Sequence, residues 1–448
     1  MPEFKVIIIG GGPVGLSTAH ALSQAGIDFV VLERRKAIVE DMGASLVLSP
    51  QSLRIMGHLG LLERFRDIGQ EVLHLAAFTM QGKKFLENWH TNYLKDYNGA
   101  YPHVFHRADV VRVLYEGLVP QYESKILTNK KVVGIIPDEG GVRVACEDGT
   151  EYAGHIVLGA DGVYSKTRHL MHEWASNDAA RPELSPIEKT PYTAEYKTLF
   201  CSFPRLWEFA PGDFFVTHGE EVSLQLLNSR NRSWVFVYEH IPAAERKERA
   251  SYFPYTEQDV EEFALKHGDI NIGGKLFFRD IWRRRTNCGL TDLHEGVLPQ
   301  WSYGRAVLAG DACHKFTPNA GMGFNSGLQD VMALVNGLHQ CLSERAEGSL
   351  PDDEAIAAVF ADYEAQRIPS IKSDCAASAM VTRLCAWPNT WFWFIDQYII
   401  PTLPWIESFF FKYQMAREVS RGLVLSFLKA REPFQGQIPW VHTLKGSV

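Results

Sequence analysis

Gly310-Asp311-Ala312-Cys313-His314-Lys315-Phe316-Thr317-Pro318-Asn319-Ala320-Gly321-Met322-Gly323 decides the fold of this chain. The apolar run 306–309 before it predicts a strand, and the pattern over 324–338 after it predicts a helix. A strand thus closes on glycine plus acid, and a glycine-rich turn leads into a helix. Asp311 can accept a hydrogen bond from a polyol. The free N–H groups of the helix start favour negative charge developing on a ligand ring.

The same grammar occurs twice upstream. Residues 4–9, Phe-Lys-Val-Ile-Ile-Ile, run into Gly10-Gly11-Gly12-Pro13-Val14-Gly15, and a helical pattern continues to Ala25. Gly10, Gly12 and Gly15 stand where a dinucleotide fingerprint needs a tight turn, close backbone approach to pyrophosphate, and close helix–sheet packing. A second strand, 29–32, ends on Glu33, at the distance expected of a carboxylate that holds ribose hydroxyls. Residues 156–158 then lead into Gly159-Ala160-Asp161-Gly162, with Ser165 and Arg168 beyond. An isolated Asp-Gly is an ordinary turn. Three such strand ends predict loops gathered at one edge of a parallel sheet.

On these residues the chain resembles the single-component (class A) flavoprotein monooxygenases related to para-hydroxybenzoate hydroxylase. The family's fingerprint, DG motif and GD motif correspond to Gly10/Gly12/Gly15, Asp161-Gly162 and Gly310-Asp311, in order and at matching spacing, over roughly residues 1–345. The stretch 314–321, His-Lys-x-Thr-Pro-Asn-x-Gly, is similar to a fungal secondary-metabolite branch that epoxidises or hydroxylates prenylated, indole-derived or terpenoid substrates. The resemblance implies an α/β fold: a Rossmann-like FAD-binding domain assembled from separated segments, an antiparallel-sheet substrate domain and a helical C-terminal region. It implies FAD as cofactor and NADPH or NADH as a transient electron donor, because no second fingerprint has a strand–turn–helix setting. It implies oxygen transfer from a flavin C4a-hydroperoxide, with the protein positioning substrate and excluding water.

Carried over residue by residue, the resemblance assigns Gly10, Gly12, Gly15, Glu33, Asp161 and Asp311 to the cofactor. It sets Arg107 against the ribityl or pyrophosphate part, and Ala320, Gly321, Met322 and Gly323 at the pyrimidine end of the ring. Ala44, within the small-residue stretch 42–49, lets backbone approach the ring, and Pro318 presents a rigid backbone beside the reacting face. Many members have Gln where this chain has Met322, which removes a side-chain amide near the flavin. Lys197, a lone cation in an aromatic and aliphatic strand, is the catalytic candidate from the substrate sheet; His314 and Asp330 read as structural.

The motifs divide the chain into FAD-binding segments 1–75, 105–175 and 281–345, an insertion at 76–104, a substrate-binding sheet over 176–280 and a helical, aromatic-rich region over 346–448. Alternating runs at 196–203, 222–227 and 234–238 predict antiparallel strands, with Phe200, Phe215, Leu224, Leu226 and Phe236 turned inward. A cavity so lined selects a bulky apolar small molecule. Helices are predicted over 52–65, 353–367 and 371–385.

With 448 residues and 46% hydrophobic content the chain can bury large cores, and a net charge of −8 argues against nucleic acid as a partner. Seven scattered cysteines have no metal-ligand spacing, and 6–9 pass straight into the fingerprint with no secretory signal; both point to a cytoplasmic protein without a metal. The stretch 387–411 is unusually aromatic, but Asp396, Glu407 and three prolines interrupt it, which argues against a simple membrane crossing. It reads either as a helical cap over the core or as a Trp-rich face for peripheral contact with a membrane. A flavin-dependent reductase of isoprenoid double bonds and a flavin-binding scaffold without turnover are the rival functions. A halogenase is disfavoured because Trp391-Phe392-Trp393-Phe394-Ile395 is followed by Asp396 and lies late in the chain. The identity of the substrate and the oligomeric state stay open.

Overall fold

The computed structural model describes residues 4–41, 44–177, 192–246, 254–346, 348–403, 405 and 409–444. Lys5–Ile9 is apolar on both faces, as a strand covered by helices on both sides must be. It pairs in parallel with Ile156–Gly159 on one side and Asp28–Leu32 on the other. Ala306–Leu308 lies beyond the first, Ile126–Leu127 beyond the second, and Ser302–Tyr303 closes one edge antiparallel. Strands far apart in sequence are thereby neighbours, and the ends that carry the glycine motifs open on one edge of the sheet. The helix Pro13–Ala25 begins on proline and stops at Gly26, whose φ of 67° lets its N–H reach the Leu22 and Ser23 carbonyls.

The second sheet has eight strands: His314–Lys315, Asn287–Val297, Thr193–Pro204, Arg232–His240, Val222–Asn228, Asp213–His218, His74–Thr79 and Lys84–Asn88, in that spatial order. Every neighbouring pair is antiparallel except His74–Thr79 with Asp213–His218. One face packs on Phe263, Phe278 and Ile281 from two short helices; the other presents Tyr196, Trp234, Phe236 and Tyr238 towards the FAD-binding side.

The strand Asn287–Val297, expected within FAD-binding segment 281–345, runs along Thr193–Pro204 and so belongs to the substrate sheet. The sheet also crosses the boundary expected at 75/76, through His74–Thr79. The helix predicted over 52–65 is two, Pro50–His58 and Leu62–Ile68, separated at Gly60 with φ of 74°. Conversely, the two helices predicted around Pro369 are one, Asp353–Ala386, because both halves are held by packing on Met322–Ser343 and the inner sheet face. The C-terminal region is helical only to Ser420, ending in the short turns Thr390–Phe394, Ile395–Ile399, Phe410–Met415 and Ala416–Ser420. The tail that follows is pinned where Glu432 receives the fully buried Arg54 guanidinium, Nε to Oε2 2.8 Å, with Trp440 stacked on it at 4.4 Å. Among the described residues no helix is long and apolar enough to cross a membrane.

Candidate active site

The first strand end is built by steric exclusion. Gly10 has φ of 111°, and a Cβ there would fall 2.5 Å from the Ala160 carbonyl oxygen; a Cβ on Gly15 would fall 1.9 Å from that of Gly10. Helix and strand therefore approach more closely than any side chain permits. Gly12 differs: a Cβ there meets nothing within 4 Å, because the residue borders a cavity of about 1850 Å³. Glu33 closes the neighbouring strand, accepting from the Gly11 N–H at 2.8 Å and from Arg35 Nε at 3.0 Å. Burial alone would raise its pKa; Arg35 and the Gly11 N–H outweigh that and hold it below the usual carboxylate range. Both stretches line the cavity.

At the DG loop, Asp161 borders the same cavity, but its carboxylate is engaged by its own chain. Ser165 Oγ donates at 2.5 Å and Thr167 N and Oγ1 donate at 2.9 Å, which starts the helix Lys166–Ser176. The loop borders the cavity from Ala160 to Gly162 and again from Tyr164 to Lys166. Arg168 ties it to the GD loop, donating to the Ala312 carbonyl at 2.8 Å.

The GD loop is braced from behind. Asp330 Oδ2 accepts from Gly310 N at 3.0 Å and from His314 Nε2 at 2.6 Å, and Oδ1 accepts from Arg367 Nε at 2.9 Å. Burial would raise the Asp330 pKa, but His314 and Arg367 bring it down to about 2. Cys313, His314 and Asp330 lie within ligand reach of one another, yet Arg367 already supplies the positive charge there. In front, Asp311 pairs with Lys315 through Oδ2, while Oδ1 has no partner among the described residues. Arg107, at the start of Arg107–Tyr122, faces the same space with no hydrogen bond or ion pair on its guanidinium among the described residues. Both residues line the cavity. Surrounding protein lowers the Arg107 pKa, with Asp311 working the other way; Lys315, His314 and Arg107 hold Asp311 below its ordinary value against burial.

Pro318–Ala320 forms one turn beside the cavity, and Gly321, with φ of 64°, sends the chain into the helix Met322–Ser343. Pro318, Ala320, Gly321, Met322 and Gly323 all line the cavity. Asn325 fastens this turn to the strand Ser45–Leu48, giving to the Val47 carbonyl at 2.7 Å and accepting from Ser49 N at 2.9 Å. Ala44 does not line the cavity; its carbonyl accepts from Arg107 N at 3.0 Å. Met42 and Gly43 lie outside the described residues. From the long helix, Thr382 donates to Asn319 Oδ1 at 3.1 Å, and from the sheet, Gln225 donates to the Asn319 carbonyl at 3.2 Å.

The cavity continues over the inner face of the eight-stranded sheet, where Phe214, Val216, Leu227 and Phe236 line it. Phe215, Leu224 and Leu226, expected to point inward, lie in the core on the opposite face; Phe200 packs at the inner face without reaching the cavity. In Asp213–His218 consecutive apolar residues, Phe214, Phe215 and Val216, face both ways, so parity cannot be read from that strand. Lys197 is likewise displaced from its expected place. Its Nζ sits 2.8 Å from Glu239 on the adjacent strand, in a cluster with Lys266 and His267 on the outer face, and it does not line the cavity. Polar residues that line the cavity on and beside the sheet include His218, Gln225, Tyr238 and Asp396. Tyr238 donates to Gln225 Oε1 at 3.0 Å, and His218 Nδ1 meets Asp396 Oδ2 at 2.9 Å. Burial disfavours the charged ring, but Cys385 and Asp396 raise the His218 pKa to about 10. His218 and Asp396 gave no sequence signal, because each depends on a partner 178 residues away in the chain.

The open space over Gly12, together with Asp311 Oδ1 and the Arg107 guanidinium, both without a partner among the described residues, fits a cofactor that carries pyrophosphate, a polyol and a flat ring. These strand ends define a FAD-binding oxidoreductase site. The family model described as FAD binding domain matches residues 3–357, and the chain belongs to that family. FAD-dependent monooxygenase esdpE of Penicillium shearii is 31% identical over 436 residues, 95% of this chain and 86% of its own length. FAD-dependent monooxygenase srdH of Neurospora crassa is 29% identical, over 98% of this chain and 99% of its own. Among solved structures, HpxO of Klebsiella pneumoniae with FAD and uric acid superposes with a TM-score of 0.67 at 20% identity, over 93% of this chain and 95% of that one. PqsL of Pseudomonas aeruginosa with 2-aminobenzoylacetate gives 0.64 at 17% identity, over 86% and 96%. The chain belongs to the FAD-dependent monooxygenases, oxidoreductases whose cofactor is FAD.

Proposed function

We infer that this chain uses NADPH or NADH and dioxygen to epoxidise or hydroxylate a bulky apolar intermediate of secondary metabolism. One observation carries the reading: a single cavity runs without a break from the glycine fingerprint, past Pro318–Gly323, to an apolar sheet face. Gly10, Gly12, Glu33, Arg107 and Asp311 would hold FAD, which when bound supplies electron transfer and dioxygen activation. The N–H groups at the start of Met322–Ser343 favour negative charge at the ring edge. The names of fungal relatives, among them FAD-dependent monooxygenase olcE of Penicillium canescens, support secondary metabolism as the setting.

The rest of the chemistry belongs to the substrate half. Phe214, Val216, Leu227 and Phe236 give an apolar floor that holds a fused-ring or prenyl body and keeps water away from the reacting carbon. Against that floor the charged His218, held by Asp396, offers a hydrogen bond to an oxygen of the substrate and so fixes which carbon faces the ring. The test is mass spectrometry of products made from prenylated or terpenoid candidates under isotopic dioxygen with NADPH. One labelled oxygen per product supports the reading. Saturation of a double bond without label assigns the chain to the reductases, and NADPH consumption with no product from any candidate counts against oxygenation.

A further inference from the structure

Large apolar side chains exposed singly need no explanation, and Trp207 and Leu265 are such cases. The segment after Trp387 is different. Trp391, Tyr398, Trp405 and Phe409 are 66%, 51%, 64% and 57% exposed, and Phe410 and Tyr413 are exposed beside them. Rings of the segment pack on one another: Phe394 stacks on Tyr398 at 5.5 Å and Phe409 meets Tyr413 at 5.2 Å. Soluble surfaces seldom carry a contiguous patch of this kind without a use for it.

The patch rims the cavity. Ile400, Leu403 and Phe410 line it, as do Met380 and Val381 of the long helix, themselves exposed at 56% and 39%. One apolar surface therefore runs from the outside to the inner sheet face.

Composition selects what covers it. Tryptophan and tyrosine rings, apolar in body and polar at one edge, favour the headgroup level of a bilayer. Cations stand at the border: Lys412 lies over Tyr413 at 5.3 Å, and Arg417 over the same ring at 5.9 Å, placed to meet lipid phosphate. Of the acids here, Asp396 turns inward to His218, Glu407 lies outside the described residues, and Glu418, next to Arg417, is paired with Arg421. With no described helix able to cross, the contact is interfacial. We propose that this face, around the cavity mouth between Met380 and Tyr413, docks the holoenzyme on a phospholipid bilayer. Given the apolar substrate inferred above, that substrate then enters from the membrane rather than through water.

The test is co-sedimentation of the FAD-loaded chain with phosphatidylcholine vesicles containing a minor fraction of phosphatidylserine. The wild type and the control Trp207→Ser pellet with the vesicles. Trp391→Ser/Trp393→Ser/Trp405→Ser, with its flavin band intact, partitions at least about tenfold more weakly. A wild type that stays in the supernatant overturns the proposal, as does a triple variant that partitions like the wild type. So does a wild-type dimer that the substitutions turn into a monomer while neither form binds vesicles, since a second copy then covers the patch. Should the variant lose its flavin, brominated lipid decides: it quenches wild-type tryptophan fluorescence if the docking is real, and leaves it unchanged if not. None of these readouts involves substrate, so their failure leaves the oxygenation reading standing.

Discussion

His218 and Asp396 form a buried ion pair, Nδ1 to Oδ2 2.9 Å, between residues 178 apart in the chain. Trp387 Nε1 and Gln397 Nε2 each give the same carboxylate a further bond at 2.9 Å. The C-terminal region therefore does more than cover the core: it supplies one wall of the substrate cavity and fixes the charge of the other.

Replacing Asp396 with Ala leaves a buried imidazolium without its counter-charge, a loss of about 3–5 kcal/mol that urea unfolding measures. His218→Phe removes the hydrogen bond and keeps the packing. It retains flavin, raises KM about tenfold for a substrate bearing an oxygen, and leaves kcat nearly unchanged.

At the fingerprint, Gly12→Leu fills the space that the backbone leaves open. The protein folds, since the first added carbon meets nothing within 4 Å and the rest of the side chain has the cavity to enter, but it elutes without its visible flavin band. Gly15→Ala forces the Gly10 carbonyl away and lowers stability itself by about 1–3 kcal/mol.

Asp330 predicts an acid limit. Its folded pKa of about 2 lies below the ordinary 3.8, so the stability it contributes is complete above the ordinary value and is lost as pH falls towards the folded one. Thermal melts below about pH 4 drop for the wild type and less steeply for Asp330→Asn, which has no carboxylate to protonate.

Lys197→Met separates the sequence expectation from the geometry. Lys197 and His267 help keep Glu239 ionised on the outer face. The substitution lowers thermal stability and leaves turnover unchanged; a fall in kcat with intact stability would return Lys197 to the site.

The cofactor half was legible because its constraints are local. Gly10, Gly12 and Gly15 announce close backbone approach within six residues of chain, and Asp311 sits directly on its strand end. The substrate half was not. Asp213–His218 carries Phe214, Phe215 and Val216 in a row, and only the packing shows that Phe215 lies in the opposite core while the other two face the cavity. The partner of Lys197 is set by register, opposite Glu239, and that of His218 by a distant turn. The strand Asn287–Val297 falls within the stretch 281–345 that the motifs give to the cofactor; it runs almost into the GD segment, and only its pairing reveals that it belongs to the substrate sheet.

The most direct test of the central claim is a fluorescence titration of flavin-stripped protein with FAD, run beside Gly12→Leu. Saturable one-to-one quenching for the wild type and none for the variant is the predicted result. A wild type that leaves FAD fluorescence untouched, or a Gly12→Leu protein that binds as tightly, would contradict the account.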